Sequence, residues 1–344
     1  MITNGSVVRQ LEIAVQDIFR VSHAVAVSNC TSGLMLALRC LGVEGKVAIP
    51  SFTFFATAHA VHWCGLEPVF VDVEEDTWSM SAEALRQAVQ EVGGITAVMP
   101  VHVFGNPCDV AAIGEVAKGH GLKVVYDAAH AMGSRVGEDW VGGFGDVEVF
   151  SLSPTKMVVA GEGGLIATND KELVKKLVAG RDYGNAGDYD PAFVGLNARM
   201  SEFHAALAVE SLKLMELNVR RRNTLAERYR ENLKDTPGIY FQRVSEGNRS
   251  TFKDFTIRVV EEEFGLSRDR LADLLAEKGI DTRKYYYPPV HRIKAYWEEY
   301  GKRYESRLPV TNRLAREALT LPIWSHMPEG VVDLVSEEII KARR

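Results

Sequence analysis

Two hydrophobic rhythms alternate through the first half of the chain. Apolar residues recur every three or four positions in VRQLEIAVQDIF (8–19), SGLMLALRCLG (32–42), ATAHAVHWCG (56–65), SAEALRQAVQEV (81–92) and DVAAIGEVAKGHG (109–121), which predicts helices. Between and after them lie short apolar runs that predict strands: HAVAVS (23–28), KVAIP (46–50), EPVFVDV (67–73), ITAVMPVHVFG (95–105), KVVYDAAH (123–130), VEVFSLS (147–153) and GGLIATN (163–169). Strands that alternate with helices imply right-handed crossovers. The expected fold is α/β, with a mostly parallel central sheet and helices on both faces.

Near residue 200 the rhythm changes. MSEFHAALAVESLKLMELNVRRRNTLAERYRENL (200–233) keeps a helical period without a proline and predicts one long helix bridging two domains. TPGIYFQ, STFKDFTIRVV (250–260) and SRDRLADLLAEKG (267–279) then read as a smaller α+β C-terminal domain. The boundary is placed near residue 235, giving units 1–235 and 236–344.

Bulk composition removes some function classes. A net charge of −6 argues against nucleic acid as a partner, because that work needs a basic face. No apolar run is long enough to cross a membrane. The opening MITNGSVVRQLE lacks the basic-then-apolar pattern of a signal peptide. Cys30, Cys40, Cys64 and Cys108 have no metal-type spacing and read as reduced thiols of a cytoplasmic protein.

In a parallel α/β sheet, ligands gather at the carboxyl ends of the strands. Asp127 and His130 lie at the end of one predicted run, 123–130. Ser151 ends another, five residues before Lys156. Asn29-Cys30-Thr31-Ser32-Gly33 leads from a third strand into a helix, and Phe54 follows a fourth. Pyridoxal phosphate would use this whole set. Lys156 would form the Schiff base, and Asp127 would keep the pyridine nitrogen protonated. Thr31 and Ser32 would cup the phosphate at a helix N-terminus, and Phe54 would stack on the ring. His130 would lie beside the ring, and Lys156 would return as general acid and base. Each residue alone has a plainer reading: a solvated loop lysine, a capping acid, a half-buried histidine, a core phenylalanine, a helix cap. On residue chemistry alone both readings stand.

The motifs NCTSGLMLAL, PSFTFFATAHAV, VFVDV, VHVFGNPCDV, YDAAHAMGS, FSLSPTK, GEGGLIATND and VGLNARMSEFHAAL, with the later YYYPPVH and LTLPIW, resemble in order those of the DegT/DnrJ/EryC1/StrS aminotransferases. The resemblance spans essentially the whole chain. It implies a pyridoxal phosphate transferase of fold type I that moves an amino group from L-glutamate to a nucleotide-linked keto-deoxysugar by ping-pong chemistry. Carried over, Lys156 matches the Schiff-base lysine, Asp127 the ring-nitrogen partner, and His130 the Gln/His position beside the ring. Thr31, Ser32 and Ser151 match the phosphate contacts, and Phe54 the stacking aromatic. Asn197 matches an asparagine that reaches the neighbouring subunit's phosphate, which implies a homodimer with shared active sites. His291 falls in a segment that approaches the sugar nucleotide.

The chain also departs from the family pattern. Ser153 stands where many relatives carry histidine or an aromatic, and Ala198 replaces a usual tyrosine; both substitutions are expected to reshape the sugar pocket. The chain begins at the family's LTNGP-like position, so contacts of the arm that usually precedes it are not expected of these residues. Lys156 argues against the branch in which histidine replaces the lysine. In that family, enzymes acting at sugar C3 tend to read GDGG after the lysine and C4 enzymes GEGG, so the resemblance implies C4 from Gly161-Glu162-Gly163-Gly164. Competing readings are a keto-cyclitol aminotransferase and a non-catalytic sensor on the same fold. Intact Lys156, Asp127 and Ser151 speak against the sensor. An oxidoreductase is disfavoured because no GxGxxG follows the first strand.

Overall fold

The computed structural model describes residues 2–343. Its strands are β1 (His23–Val27), β2 (Lys46–Pro50), β3 (Glu67–Val71), β4 (Ile95–Val98), β5 (Lys123–Asp127), the short hairpin β6 (Arg135–Val136) and β7 (Asp139–Trp140), β8 (Val147–Ser151) and β9 (Gly164–Thr168). Seven of them form one sheet in the order β1-β9-β8-β5-β4-β2-β3. β8, β5, β4, β2 and β3 run parallel, and β9 is antiparallel to both neighbours. The expected mostly parallel sheet is present.

Side-chain alternation divides the sheet into two buried faces. Val25 and Val27 of β1 point to one side, with Val149 of β8 and Ile49 of β2. There they meet α2 (Cys30–Cys40), α3 (Ala56–Trp63) and, later in the chain, α6 (Lys171–Gly180). Ala24, Ala26 and Phe150 point the other way, against α1 (Ser6–Phe19) and α7 (Glu202–Lys213). α4 (Ala82–Glu91) and α5 (Val110–His120) cover that second face over β3 and β4. Each fully buried Val, Leu or Ile contributes about 1.5–3 kcal/mol, so both faces specify the register of the strands.

Three departures from the expected elements have local causes. The run 95–105 stays a strand only to Val98. Pro100 cannot donate to a ladder, and the chain then turns through Phe104, whose φ of 59° is left-handed. The expected single helix over 200–233 is two, α7 and α8 (Met215–Leu233). At the junction the Leu214 N–H bonds to the Ser211 carbonyl, a tightened last turn. Meanwhile the Ser211 hydroxyl is held by the Val159 N–H at 2.9 Å. Both helices keep a three-to-four apolar period across the break, so periodicity alone does not mark it. The helix expected from Ser32 begins at Cys30, because Asn29 caps it through the Ser32 N–H.

β8 carries a carboxylate in its middle. Glu148 is fully buried. It accepts the N–H groups of Gly142 and of Phe144 (2.9 Å) and pairs with His102 Nε2 at 3.0 Å. A buried acid so satisfied ties the 142–144 loop to the strand that ends at Ser151.

Beyond α8, β10 (Ile239–Phe241), β11 (Phe255–Val259) and β12 (Ala318–Leu321) form an antiparallel sheet in that order. Its core also takes in Leu225, Ala226, Tyr229 and Leu233 of α8 and the helices Arg268–Glu277 and Glu329–Ala342. Val290, Tyr296, Tyr300, Tyr304 and Leu308 return to the first core, around Phe70 of β3.

Gly164 opens β9 directly against the start of α2. A Cβ there would lie 2.7 Å from the Asn29 carbonyl carbon and 2.8 Å from the Cys30 nitrogen, both backbone atoms. Gly164→Ala is therefore expected to shift the N-terminus of α2 and to cost about 1–3 kcal/mol. A denaturant midpoint equal to wild type would contradict this.

Candidate active site

The carboxyl ends of β5 and β8, the start of α2 and the loop after β2 converge on a cavity of about 210 Å³. Thr31, Phe54, Asp127, His130, Ser151 and Lys156 all line it, together with Asn29, Thr53, Ser153 and Glu162. Six of the nine residues singled out in the sequence thus share one space.

Asp127 is buried at the end of β5. Its Oδ2 accepts the Thr57 hydroxyl at 2.7 Å and its Oδ1 the Ala129 N–H at 3.1 Å. Burial pushes its pKa up, while those hydrogen bonds and the positive charge of Lys156 pull it down. Lys156 lies in the turn after β8. Burial lowers its pKa from the usual 10.5 to about 8; Lys253 adds repulsion, and the Asp254 and Asp127 carboxylates draw it back part of the way. Asp254 is itself committed to Lys253, at 2.9 Å. His130 Nδ1 accepts the Phe104 N–H at 3.2 Å, and burial holds its pKa well below the ordinary value. It is therefore neutral, with its proton on Nε2. The left-handed backbone of Phe104 is what aims that amide.

Phe54 is 47% exposed at the cavity mouth, its ring 4.0 Å from that of Phe55. Ser32 does not line the cavity. Its N–H is taken by Asn29 Oδ1 at 2.8 Å and its hydroxyl by the Asn29 carbonyl at 2.8 Å, so it serves the helix cap. Asn197 is exposed, its Oδ1 3.2 Å from Arg199 Nη2, and it does not line the cavity of its own chain. His291 is fully buried. Its Nδ1 lies 2.7 Å from the Ser51 hydroxyl, and it lines none of the cavities around Lys156. Of the two unusual residues, Ser153 lines the cavity, whereas Ala198 is buried in the first core.

A second cavity of about 720 Å³ opens on Lys156 from the side of the smaller sheet. Arg222, Lys253, Lys278 and Arg283 face Asp254 and Asp281 there, next to Trp324. Sequence reasoning missed Thr57 and Lys253. Thr57 carries a faint signal, a hydroxyl on the buried side of a short helix; Lys253 carries none, since FKDF reads as any strand edge.

The model of the DegT/DnrJ/EryC1/StrS aminotransferase family matches residues 1–340. The chain belongs to that family. It is 33% identical over 336 residues to a dTDP-4-amino-4,6-dideoxy-D-glucose transaminase of Shigella dysenteriae, covering 98% of this chain and 90% of the relative. It is 34% identical over 339 residues to a UDP-N-acetyl-3-dehydro-alpha-D-glucosamine 3-aminotransferase of Acidithiobacillus ferrooxidans, covering 97% and 88%. The solved structure of DesI in the presence of its TDP-sugar product superposes with a TM-score of 0.92 at 34% identity, covering 99% of this chain and 86% of that one. The protein is an aminotransferase, and its cofactor is pyridoxal 5′-phosphate.

The residues present fit that group. A half-buried amine with a lowered pKa, a buried carboxylate with two donors of its own, a neutral histidine and the N-terminus of α2 face one space. Among the described residues no cluster could hold a metal ion. One consequence is testable without cofactor. In the cofactor-free protein, acylation of Lys156 is expected to rise through about pH 8, well below the 10.5 of an ordinary lysine, because the free amine is the nucleophile. Peptide mapping of the modified lysine against pH checks this; a midpoint near 10.5 would contradict it.

Proposed function

We propose that this aminotransferase moves an amino group from L-glutamate to a nucleotide-linked keto-deoxysugar, at C4 rather than C3. The observation that carries the reading is the position of Lys156 in the wall shared by the two cavities. The smaller holds the groups that suit the cofactor. The larger has the room and the cations that suit a nucleoside diphosphate. The names of the similar proteins support nucleotide sugars as the substrate class. They include both a 4-amino-sugar and a 3-amino-sugar enzyme, so the preference for C4 rests on Gly161-Glu162-Gly163-Gly164.

When bound, pyridoxal phosphate supplies the carbonyl that takes up the amine and a conjugated ring that accepts the electron pair of the broken C–H bond. Lys156 would anchor it and move the proton between carbon atoms. Asp127 would hold a positive ring nitrogen, His130 would donate Nε2–H beside the ring, and Thr31 and Ser151 would bind the phosphate. Phe54 would cover the ring face. The exposed Asn197 would complete the site of a second copy, making the working unit a homodimer. His291, closed in by Ser51, would support the substrate segment from behind. The same proposal keeps two units divided near residue 235. It places the protein in the cytoplasm, which its four free cysteines support. No helix among the described residues is long and apolar enough to cross a membrane.

The test supplies L-glutamate with dTDP-, UDP- and GDP-linked 4-keto- and 3-keto-6-deoxysugars and with a free keto-cyclitol. The expected result is 2-oxoglutarate release with a 4-amino sugar nucleotide, identified by mass spectrometry. Turnover of the cyclitol without a nucleotide would overturn the substrate class. A 3-amino product would overturn only the position.

A further inference from the structure

The carboxylate of Asp127 has a second support that reaches the cavity wall. Thr57 lies in the first turn of α3 with its side chain fully buried. Its Oγ1 is 2.7 Å from Asp127 Oδ2 and 3.1 Å from Thr53 Oγ1. An ionised carboxylate only accepts, so Thr57 gives its one hydroxyl proton to Asp127 and has lone pairs left for Thr53. Direction is thereby fixed: Thr53 donates to Thr57, and Thr57 donates to Asp127. Thr53 is 3% exposed and lines the same cavity as Asp127 and Lys156.

This geometry does more than fill space. A threonine early in a helix can satisfy its hydroxyl on a backbone carbonyl one turn back. Thr57 instead spends it on a buried charge, where a hydrogen bond is short and strong. With Ala129 N–H on the other oxygen, each carboxylate oxygen is held by one donor and keeps lone-pair capacity for a further partner. Burial alone would favour the protonated acid, and a protonated acid could not hold a positive ring nitrogen.

We propose that Thr57, itself oriented by Thr53, is a positioning residue that keeps Asp127 an aligned anion facing the cofactor's ring nitrogen. The inference rests on the reading of Asp127 as that nitrogen's partner. In the transfer reaction a protonated ring nitrogen is what makes the ring an effective electron acceptor, so weakening the anion slows C–H cleavage more than it weakens substrate binding.

The experiment loads wild type, Thr57→Val, Thr57→Ser and Thr53→Val with pyridoxal phosphate carrying nitrogen-15 in the ring. It reads the nitrogen resonance between pH 6 and 9, with kcat and KM measured alongside. Thr57→Val removes the hydroxyl at nearly constant shape, and a thermal melt checks that it folds. The expected result is a pyridinium signal in wild type and a shift toward the unprotonated pyridine in Thr57→Val. A fall in kcat of about 10- to 100-fold at little-changed KM should accompany it, the range for losing one hydrogen bond to a charge. Thr57→Ser should restore both, and Thr53→Val should move both less in the same direction. A pyridinium signal and kcat equal to wild type in a folded Thr57→Val would overturn the inference. An unprotonated nitrogen in wild type would instead overturn the role of Asp127, so the two failures are distinguishable.

Discussion

Replacing Lys156 by alanine is expected to abolish amino transfer, by about ten-thousand-fold or more, because one side chain serves as anchor and as proton carrier. The protein should nevertheless fold. Lys156 is half-buried with no carboxylate of its own, since Asp254 is held by Lys253 and Asp127 by Thr57 and Ala129. Removing a poorly solvated amine beside another cation relieves a cost. The melting temperature of Lys156→Ala should therefore equal or exceed that of the wild-type apoprotein. Turnover by a folded Lys156→Ala protein would remove the chemical basis of the account. A collapsed melting temperature would contradict only the burial argument.

The second large effect is expected at Asp127. Asp127→Asn keeps an oxygen to accept from a donor and nearly the same shape, so the local network should survive in part. What it loses is the negative charge. The loss of one preorganised electrostatic partner is expected to lower kcat by about 100- to 1000-fold. The loss should persist at saturating substrate, because binding is not what fails. Steady-state kinetics with both substrates saturating checks this. A kcat within threefold of wild type would exclude Asp127 from the role given to it.

Much of this site is legible in the chain itself. The strands ending at Asp127 and Ser151 stand out because apolar runs there stop abruptly at polar residues, and a parallel sheet sends such ends to one edge. Asn29-Cys30-Thr31-Ser32 was legible as a helix start for the same reason. Which of its hydroxyls faces the cavity was not, because Asn29 takes both the N–H and the hydroxyl of Ser32. The helix break at Leu214 was hidden, since no proline or glycine marks it and the apolar period runs through. The antiparallel β9 was hidden as well, because a fully buried strand reads alike in either direction. Thr57 sits inside the quoted motif PSFTFFATAHAV, but nothing in that motif says that its hydroxyl turns to Asp127; Lys253 reaches the site only by folding, from a strand edge with no motif around it. His291 illustrates the converse. Its motif position suggested a contact with substrate, and the fold closes Ser51 over it.

The central claim is that Lys156 holds pyridoxal phosphate and that the loaded enzyme accepts an amino group. The visible absorption spectrum of the purified protein, recorded before and after addition of L-glutamate, tests it most directly. The account predicts a yellow protein that bleaches on adding glutamate and regains its colour when a nucleotide-linked 4-keto-deoxysugar is added. A protein that stays colourless after incubation with pyridoxal phosphate would contradict it.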